Sequence, residues 1–225
     1  TFSSLFHILD QLNQGEGPGK TDFRWNLVCG GSRMLAAVVP VQNEEKRIRK
    51  TIETLLTLPA GLIIPVINGS SDLSCEAIQK FESSKIIPLH YKETLGIDVP
   101  RAVGAHTARN KGAAVVLFLD GDMNGEIKDN LRELIQKVEE GVDMALTNCY
   151  PAENMEELSP LATKLLHVRR CLNREIGLER ALGAASPCHG PHAVSNRFLQ
   201  YVPLGELALP PVSLALAAKS GLKVC

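Results

Sequence analysis

The stretch Val115-Val116-Leu117-Phe118-Leu119-Asp120-Gly121-Asp122 joins a run of apolar residues to two carboxylates that directly follow it. The apolar run predicts a buried strand over 114–119, and in extended backbone the side chains at i and i+2 point to the same side. Gly121 permits a tight turn and the close approach of a ligand. Two neighbouring carboxylates repel each other unless a positive charge is present, which favours Mg²⁺ or Mn²⁺ together with a diphosphate. The alternative interpretation is a polar turn that ends the strand.

Short apolar runs alternate with amphipathic segments on both sides of this stretch. Strands that alternate with helices predict an α/β fold, with a mostly parallel, Rossmann-like sheet and helices on both faces. In such sheets ligands bind at the carboxyl ends of the strands. Pro65, inside the second strand, predicts an edge strand or a bulge. The predicted strands cover 34–41, 62–67, 85–90, 114–119 and 142–147, and the predicted helices cover 44–58, 72–83, 101–111, 127–138 and 160–176.

The chain of 225 residues is predicted to be a single domain with three parts. Residues 1–33 form an N-terminal helix and loop, because five apolar side chains share one helical face before a Gly-rich stretch: Phe2, Leu5, Phe6, Leu9 and Leu12. Residues 34–147 contain the motifs near the predicted strand ends, and residues 148–225 form a second half. The chain stops just after the start of a further predicted strand, which is consistent with truncation of this half.

The composition is that of a soluble globular protein, with 44% hydrophobic and 22% charged residues. Lys and Arg number 24 against 25 for Asp and Glu, which argues against a protein that binds nucleic acid or a membrane surface through a basic field. No uncharged apolar run approaches the roughly 18 residues of a membrane span. Six scattered cysteines without a Cys-x-x-Cys pair indicate thiols in a reducing compartment, so we expect a cytoplasmic protein.

Three further segments near the predicted carboxyl edge carry polar or charged side chains. They follow the first strand as Val39-Pro40-Val41-Gln42-Asn43-Glu44, follow the second as Asn68-Gly69-Ser70-Ser71-Asp72, and precede the Asp-Gly-Asp strand as Arg101-Ala102-Val103-Gly104-Ala105. Each of the first two also fits a turn with a helix cap, Asn43 being the candidate cap of the first helix. In this order and spacing, the motifs resemble the family-two nucleotide-sugar glycosyltransferases of the GT-A fold over about 34–147. Weaker similarity continues through His189-Gly190-Pro191 and 217–224.

The resemblance implies a metal-dependent transferase that moves a hexose from a nucleoside-diphosphate sugar to a hydroxyl acceptor, with Mg²⁺ or Mn²⁺ as cofactor. Asp120 would face the ribose or the donor sugar, and Asp122 would hold the cation with Asp120 beside it. The base and ribose pocket, the diphosphate site and the acceptor wall would be formed by these residues: Pro40, Gln42, Asn43, Glu44, Asn68, Arg101, Gly104, Gly121, His189 and Gly190.

Two departures from the family pattern affect these expectations. Ile67-Asn68 stands where members usually carry Asp-Asp before Gly-Ser, so a UDP-sugar is expected but the base is left open. Inverting members carry a late Glu-Asp pair that supplies the general base, whereas the matching region here reads Leu209-Pro210-Pro211-Val212. Glu206 is the nearest carboxylate and is the candidate base. Retaining relatives such as the glucosyl-3-phosphoglycerate synthases resemble the donor half without that base, so the stereochemistry is open.

Other patterns in the second half have more than one interpretation. His189 and His192 with Cys188 would make a metal cluster, but their spacing matches no zinc pattern. His189-Gly190 is interpreted either as part of an acceptor or diphosphate wall or as a structural loop. The apolar side of the predicted helix from 160 indicates core packing or a homodimer contact: Leu161, Leu165, Val168, Leu172 and Ile176. The alternative to an enzyme is a non-catalytic member that binds nucleotide or sugar, or that serves as a scaffold.

Overall fold

The computed structural model describes residues 34–123, 125–150 and 158–225. The N-terminal helix and loop predicted for residues 1–33 lie outside this range. Within it, six strands form one sheet in the order β3-β2-β1-β4-β6-β5. The strands are β1 Leu35–Val41, β2 Ala60–Asn68, β3 Leu89–Tyr91, β4 Val115–Phe118, β5 Met144–Leu146 and β6 His192–Ser195. All neighbours pair in parallel except β6, which runs antiparallel to β4 and β5, so the predicted mostly parallel α/β sheet is confirmed.

Helices cover both faces of this sheet. Alternate strand residues point to opposite sides, so Ala36 and Val38 pack on one face while Ala37 and Val39 pack on the other. The first face is covered by α3, α7, the 3₁₀ helix and α8, and the second by α1, α2 and α4. The helices are α1 Ile48–Leu56, α2 Ser74–Gln79, α3 Val99–Asn110, α4 Lys128–Glu139, α5 Pro160–Glu175, α6 Glu179–Leu182, α7 Asn196–Tyr201 and α8 Pro210–Lys219, and the 3₁₀ helix is Leu204–Ala208.

The helix boundaries follow from local sequence. Ile48, Ile52 and Leu55 recur at helical spacing on α1 and are fully buried against the sheet. Ser159 caps α5, because its hydroxyl oxygen accepts a hydrogen bond from the Ala162 N–H at 3.2 Å. Ser195 caps α7 in the same way. In the ranges that the structure describes, no helix is long and apolar enough to cross a membrane.

The prediction that Pro65 marks an edge strand or a bulge is wrong. β2 lies between β1 and β3, and Pro65 stays in register opposite Val39. The N–H of Ile63 points toward the β3 side, where it donates to Lys85, and alternate N–H groups point the same way. The missing donor of Pro65 therefore faces the gap that precedes β3. Pro88 lies at that gap and has no N–H to donate to β2. The strand predicted over 85–90 is therefore observed only as an isolated bridge at Ile86 and, after Pro88, as β3.

Gly104 brings α3 into close contact with the central strand of the sheet. A Cβ atom at this position would lie 2.2 Å from Cγ1 of Val38, whose side chain is fully buried in β1. Only glycine permits this approach, so Gly104 sets the distance between α3 and β1. The structure therefore places Gly104 on the side of α3 that faces the sheet. Its expected position near the diphosphate or the sugar stays a prediction.

We expect Gly104→Ala to lower the free energy of unfolding by about 1–3 kcal/mol, because the added methyl group overpacks the contact with Val38. Urea unfolding measures the change. In the double variant Val38→Ala/Gly104→Ala the clash is relieved, so its destabilisation should fall below the sum of the two single changes. Strict additivity in this cycle would contradict the proposed contact.

His192 begins β6 and is enclosed in the core. Its ring stacks on Phe118 of β4 with ring centroids 4.7 Å apart. Burial, with a smaller effect of the positive charge of Arg101, lowers the pKa of the His192 imidazole to about 3. The ring is therefore neutral in the folded protein at every pH near neutrality.

We expect His192→Phe to flatten the pH dependence of stability between about pH 6.5 and pH 3. Over this range the unfolded chain binds a proton at the imidazole and the folded chain does not, so acidification favours unfolding of the wild type. The expected contribution is up to about 1.4 kcal/mol per pH unit. Urea unfolding at several pH values measures it. The exposed His90 of β3 gives the control variant His90→Phe, which should keep the wild-type slope, and an unchanged slope in His192→Phe would refute the assignment.

Candidate functional site

The loop after β4 carries Asp120 and Asp122 and is fixed by bonds to β1 and α1. The Gly121 N–H donates to the carbonyl oxygen of Pro40 at 3.2 Å, and the buried Thr51 hydroxyl donates to the carbonyl oxygen of Gly121 at 2.9 Å. A Cβ atom at Gly121 would lie 3.0 Å from that same Pro40 oxygen, which explains why a glycine stands here. The two carboxylates therefore lie on a rigid turn at the carboxyl edge of the sheet.

The buried side chain of Arg101 orients the carboxylate of Asp120. Its side chain is 8% exposed, and its Nη2 atom donates to Oδ1 of Asp120 at 2.6 Å while Nη1 donates to Oδ1 of Asp98. Burial raises the pKa of the Asp98 carboxyl, an effect that the Arg101 charge opposes. Both terminal nitrogens of the guanidinium are thus engaged by carboxylates of the protein itself. Arg101 acts here as the residue that positions Asp120.

Asp122 lies on the solvent side of the same turn, with 49% of its side chain exposed. Its Oδ2 atom is 3.9 Å from Nη1 of Arg47, and Nε of Arg47 is 2.7 Å from Oε2 of Glu44. Burial raises the pKa of the Glu44 carboxyl, Arg47 opposes this shift, and the negative charge of Asp122 adds to it. Asp122 therefore keeps an accessible carboxylate in a region of concentrated negative charge.

The formal charges of these groups leave a net excess of two negative charges. In the part of the chain that the structure describes, the carboxylates of Glu44, Asp98, Asp120 and Asp122 form ion pairs with two guanidiniums, those of Arg47 and Arg101. Such an excess, built from oxygen ligands, matches the charge of one Mg²⁺ or Mn²⁺ ion. Mg²⁺ is commonly held by one or two carboxylates together with substrate phosphates, and the Asp120 and Asp122 pair fits that pattern.

The loop after β1 is interlocked with the loop after β2. Asn43 adopts a left-handed conformation with φ 57°, its N–H donates to the Ser70 hydroxyl, and its Oδ1 accepts from the Ser71 N–H at 2.9 Å. The N–H of Glu45 donates to Oδ2 of Asp72 at 3.0 Å. Although burial raises the pKa of the Asp72 carboxyl, its hydrogen bonds lower it by more. Asn43 thus joins the two loops and does not cap α1, which begins only at residue 48.

Asn68, at the end of β2, is engaged on both sides of its amide. Its Nδ2 donates to the carbonyl oxygen of Gly96 at 2.8 Å, and its Oδ1 accepts from the Leu95 N–H at 2.6 Å. The side chain is buried and holds the loop between β3 and α3. Gln42 and Thr94 lie nearby on the surface, where the Gln42 amide donates to the Thr94 hydroxyl at 3.3 Å. Gln42 and Thr94 are therefore among the exposed polar residues on this side of the site.

His189 and Gly190 lie at the same edge of the sheet, because β6 is antiparallel and begins where the parallel strands end. The exposed His189 ring stacks on Tyr150, with centroids 5.3 Å apart. Gly190 has φ 80°, and a Cβ atom there would lie 2.4 Å from Sγ of Cys149. The loop before β6 is thus packed closely on the loop after β5. This pair of loops bounds the side of the site opposite Gln42.

Glu206 lies on the 3₁₀ helix that packs against α3. Leu204 and Leu207 on either side of it are buried, and Glu206 itself is half-buried. Among the described residues, its carboxylate forms no hydrogen bond or ion pair with Asp120 or Asp122.

Sequence reasoning missed three residues that build the site. Arg47 lies three positions after Glu44 in the first turns of the α1 region, and Asp98 lies three positions before Arg101. Both pairs have the spacing of ion pairs in a helical turn, which is the signal that could have found them. Thr51 carried no such signal, since a threonine within a helix is not specific to any role.

Comparison with known proteins supports the identification of this architecture. A model described as glycosyl transferase family 2 matches residues 36–200. A search of curated proteins found no match. Solved structures of glucosyl-3-phosphoglycerate synthase from Mycobacterium tuberculosis are similar, one in complex with Mn²⁺, UDP and phosphoglyceric acid and another with Mg²⁺ and UDP. The first has a TM-score of 0.60, 17% identity and covers 86% of this chain and 67% of that one. The second has a TM-score of 0.58, 18% identity and coverages of 86% and 68%.

A mycobacterial protein is also similar, with a TM-score of 0.61, 14% identity and coverages of 96% and 66%. The chain thus spans about two thirds of the length of these structures. Identities this low establish a common fold and no more, whereas the family model extends over most of the chain. The chain therefore belongs to glycosyl transferase family 2 and has the GT-A fold that its motifs predicted.

Proposed function

We propose that the protein transfers a sugar from a nucleoside-diphosphate sugar to a hydroxyl acceptor, with Mg²⁺ or Mn²⁺ at the Asp120-Gly121-Asp122 turn. The observation that carries this proposal is the rigid turn itself, with an accessible Asp122 carboxylate in a region of excess negative charge. The similar synthase has been solved with UDP and Mn²⁺ or Mg²⁺. That precedent supports the same class of donor and cation here.

Each side of the site has a distinct task in this proposal. Asp122, with Asp120 beside it, would hold the cation, which when bound would offset the negative charge of the departing nucleoside diphosphate. Arg101 keeps the Asp120 carboxylate pointed toward the ribose or donor sugar. Gln42 lines the base pocket beside Thr94. The polar groups of both side chains are exposed to solvent.

The acceptor side is formed by the loops around His189 and Gly190. Gly190 brings its backbone against Cys149, so this wall is closely packed. We propose Glu206 as the group that receives the proton of the acceptor hydroxyl, since it is a half-buried carboxylate on the neighbouring 3₁₀ helix. The acceptor is proposed only as a hydroxyl compound.

The donor site is tested by Asp122→Asn, which removes one negative charge and keeps the shape of the side chain. In the wild type, UDP-glucose with Mn²⁺ should raise the melting temperature, with about 2.7 kcal/mol of stabilisation at a hundredfold excess over the dissociation constant. We expect Asp122→Asn to lose most of the part of this shift that requires Mn²⁺, because a neutral amide oxygen binds the cation far more weakly than a carboxylate.

Asp129→Asn is the matched control, since Asp129 is a highly exposed carboxylate at the start of α4. It should keep the Mn²⁺-dependent shift. Equal Mn²⁺-dependent shifts in Asp122→Asn and the wild type would refute the proposed metal site. Donor hydrolysis measured in parallel separates an enzyme from a non-catalytic binding protein, which would show the shift without turnover.

The proposal also concerns the base pocket, where Asn68 replaces the acid usual in the family. We expect Asn68→Asp to destabilise the fold by about 1–3 kcal/mol at neutral pH. A carboxylate oxygen would then face the Gly96 carbonyl oxygen. In the wild type this oxygen accepts a hydrogen bond from the Asn68 amide nitrogen at 2.8 Å. Lowering the pH should recover part of the loss, because a protonated carboxyl group can donate to Gly96 again.

Urea unfolding of Asn68→Asp at pH 7 and pH 4.5, relative to the wild type at each pH, measures this effect. Asn68→Ala is the control, because it removes both hydrogen bonds without adding a titrating group. Its destabilisation should not share the partial recovery at low pH. A fully stable Asn68→Asp variant would mean that the loop between β3 and α3 does not depend on this amide.

A further inference from the structure

The guanidinium of Arg47 lies between two carboxylates of the candidate site. Its Nε atom is 2.7 Å from Oε2 of Glu44, and its Nη1 atom is 3.9 Å from Oδ2 of Asp122. Glu44 is held in place, because only 14% of its side chain is exposed and its N–H donates to the Ser74 hydroxyl at 2.7 Å. Arg47 is therefore bound closely at Nε, while its outer end forms a looser contact with the accessible Asp122.

Arg47 and Arg101 differ in their freedom to leave their partners. The Arg101 side chain is 8% exposed and bridges Asp98 and Asp120, so its movement would separate a buried positive charge from both carboxylates. The side chains of Arg47 and Asp122 are each 49% exposed, so water solvates both charges when they separate. Ion pairs with this exposure contribute little to stability. Arg47 is therefore a counter-ion that can be displaced from Asp122.

A divalent cation at Asp122 competes with Arg47 for the same carboxylate. Charges of the same sign at a separation of about 4 Å repel each other even in water. The guanidinium also offsets part of the negative charge of Glu44 and Asp122, which is the charge that attracts the cation. For both reasons Arg47 weakens the binding of a cation to the empty site.

A nucleoside diphosphate beside the cation gives the guanidinium of Arg47 a new partner. Its phosphate oxygens are negatively charged, and a guanidinium binds such oxygens through paired N–H groups. The contact at Glu44 keeps Arg47 at the site after the outer end of its side chain has left Asp122. The same residue that opposes the cation alone therefore favours the cation together with the diphosphate.

We propose that Arg47 couples the binding of the cation to the binding of the diphosphate. In the empty site Arg47 pairs with Asp122 and lowers the affinity for Mg²⁺ or Mn²⁺. In the loaded site Arg47 pairs with a phosphate of the donor and raises the affinity for the nucleotide. The inference rests on the proposed function, because it takes the cation to be held at Asp122.

Mn²⁺ binding to the full chain, measured from the electron paramagnetic resonance of free Mn²⁺, tests the first half of the proposal. Without nucleotide, we expect Arg47→Gln to bind Mn²⁺ about three- to tenfold more tightly than the wild type, because a repelling charge is removed. At about 1 M salt the Debye length falls to about 3 Å, so this gain should shrink. Arg49→Gln is the matched control, since Arg49 is 72% exposed and pairs with Glu53. It should change the affinity by less than about twofold.

Calorimetric titration with UDP, with and without Mn²⁺, tests the second half. In the wild type Mn²⁺ should raise the affinity for UDP, and UDP raises the affinity for Mn²⁺ by the same factor. We expect Arg47→Gln to reduce this factor at least about threefold, since its empty site already binds Mn²⁺ more tightly. Arg49→Gln should keep the wild-type factor. An unchanged factor in Arg47→Gln, or an affinity for Mn²⁺ alone that does not rise, would overturn the proposal.

Asp122→Asn separates a failure of this inference from a failure of the proposed function. We expect Asp122→Asn to weaken Mn²⁺ binding, and Arg47→Gln to give a smaller gain in that background than in the wild type. Mn²⁺ binding that Asp122→Asn leaves unchanged would refute the proposed metal site and this inference with it. Weakened binding in Asp122→Asn without a gain in Arg47→Gln would support the metal site and refute the role of Arg47.

Discussion

The buried guanidinium of Arg101 connects two acidic residues that would otherwise repel each other at the edge of the sheet. It binds Asp98 at the start of α3 and Asp120 after β4, so one side chain joins a helix to the loop beyond the central strand. A charge with 8% exposure requires such partners, since an unpaired buried ion costs several kcal/mol. The position of Asp120, and with it the direction in which Asp122 faces, depends on this pairing. The proposed metal site is thus built on an ion pair beneath it.

In the surrounding loops too, many polar side chains near the site form hydrogen bonds with other groups of the protein. Asn43 links the loops after β1 and β2, and Asn68 holds the loop before α3 through both ends of its amide. A buried polar group must be satisfied, and these internal bonds satisfy it. The side chains of Gln42, Asp122 and His189 are among those that remain exposed. Loops held by internal bonds lose little conformational freedom when a ligand binds.

The sequence predicted the architecture, which the structure confirms. Alternation of apolar runs and amphipathic segments indicated the α/β sheet, since strands buried on both faces are nearly continuous runs of apolar residues. Pro65 led to the wrong prediction of an edge strand or a bulge. A proline is tolerated inside a sheet when its nitrogen faces a position where the neighbouring strand accepts no hydrogen bond, and the sequence does not show this. Gly104 and Asn68 matched a ligand-binding motif, but they contact Val38 and the backbone of Gly96. Such contacts join positions far apart in the chain, which no local pattern records.

The sequence by itself determined the fold class, the edge of the sheet where the candidate site lies, and the acidic turn at Asp120 and Asp122. These features follow from hydrophobic periodicity and from the short spacing of two carboxylates, both of which are local. Only the tertiary structure decided that Arg101 is engaged by Asp98 and that Arg47 lies beside Asp122. It also decided that the apolar side of α5 faces solvent among the described residues. The physical reason is that charge pairing and burial depend on distances in space, and the packing of the whole sheet sets these distances.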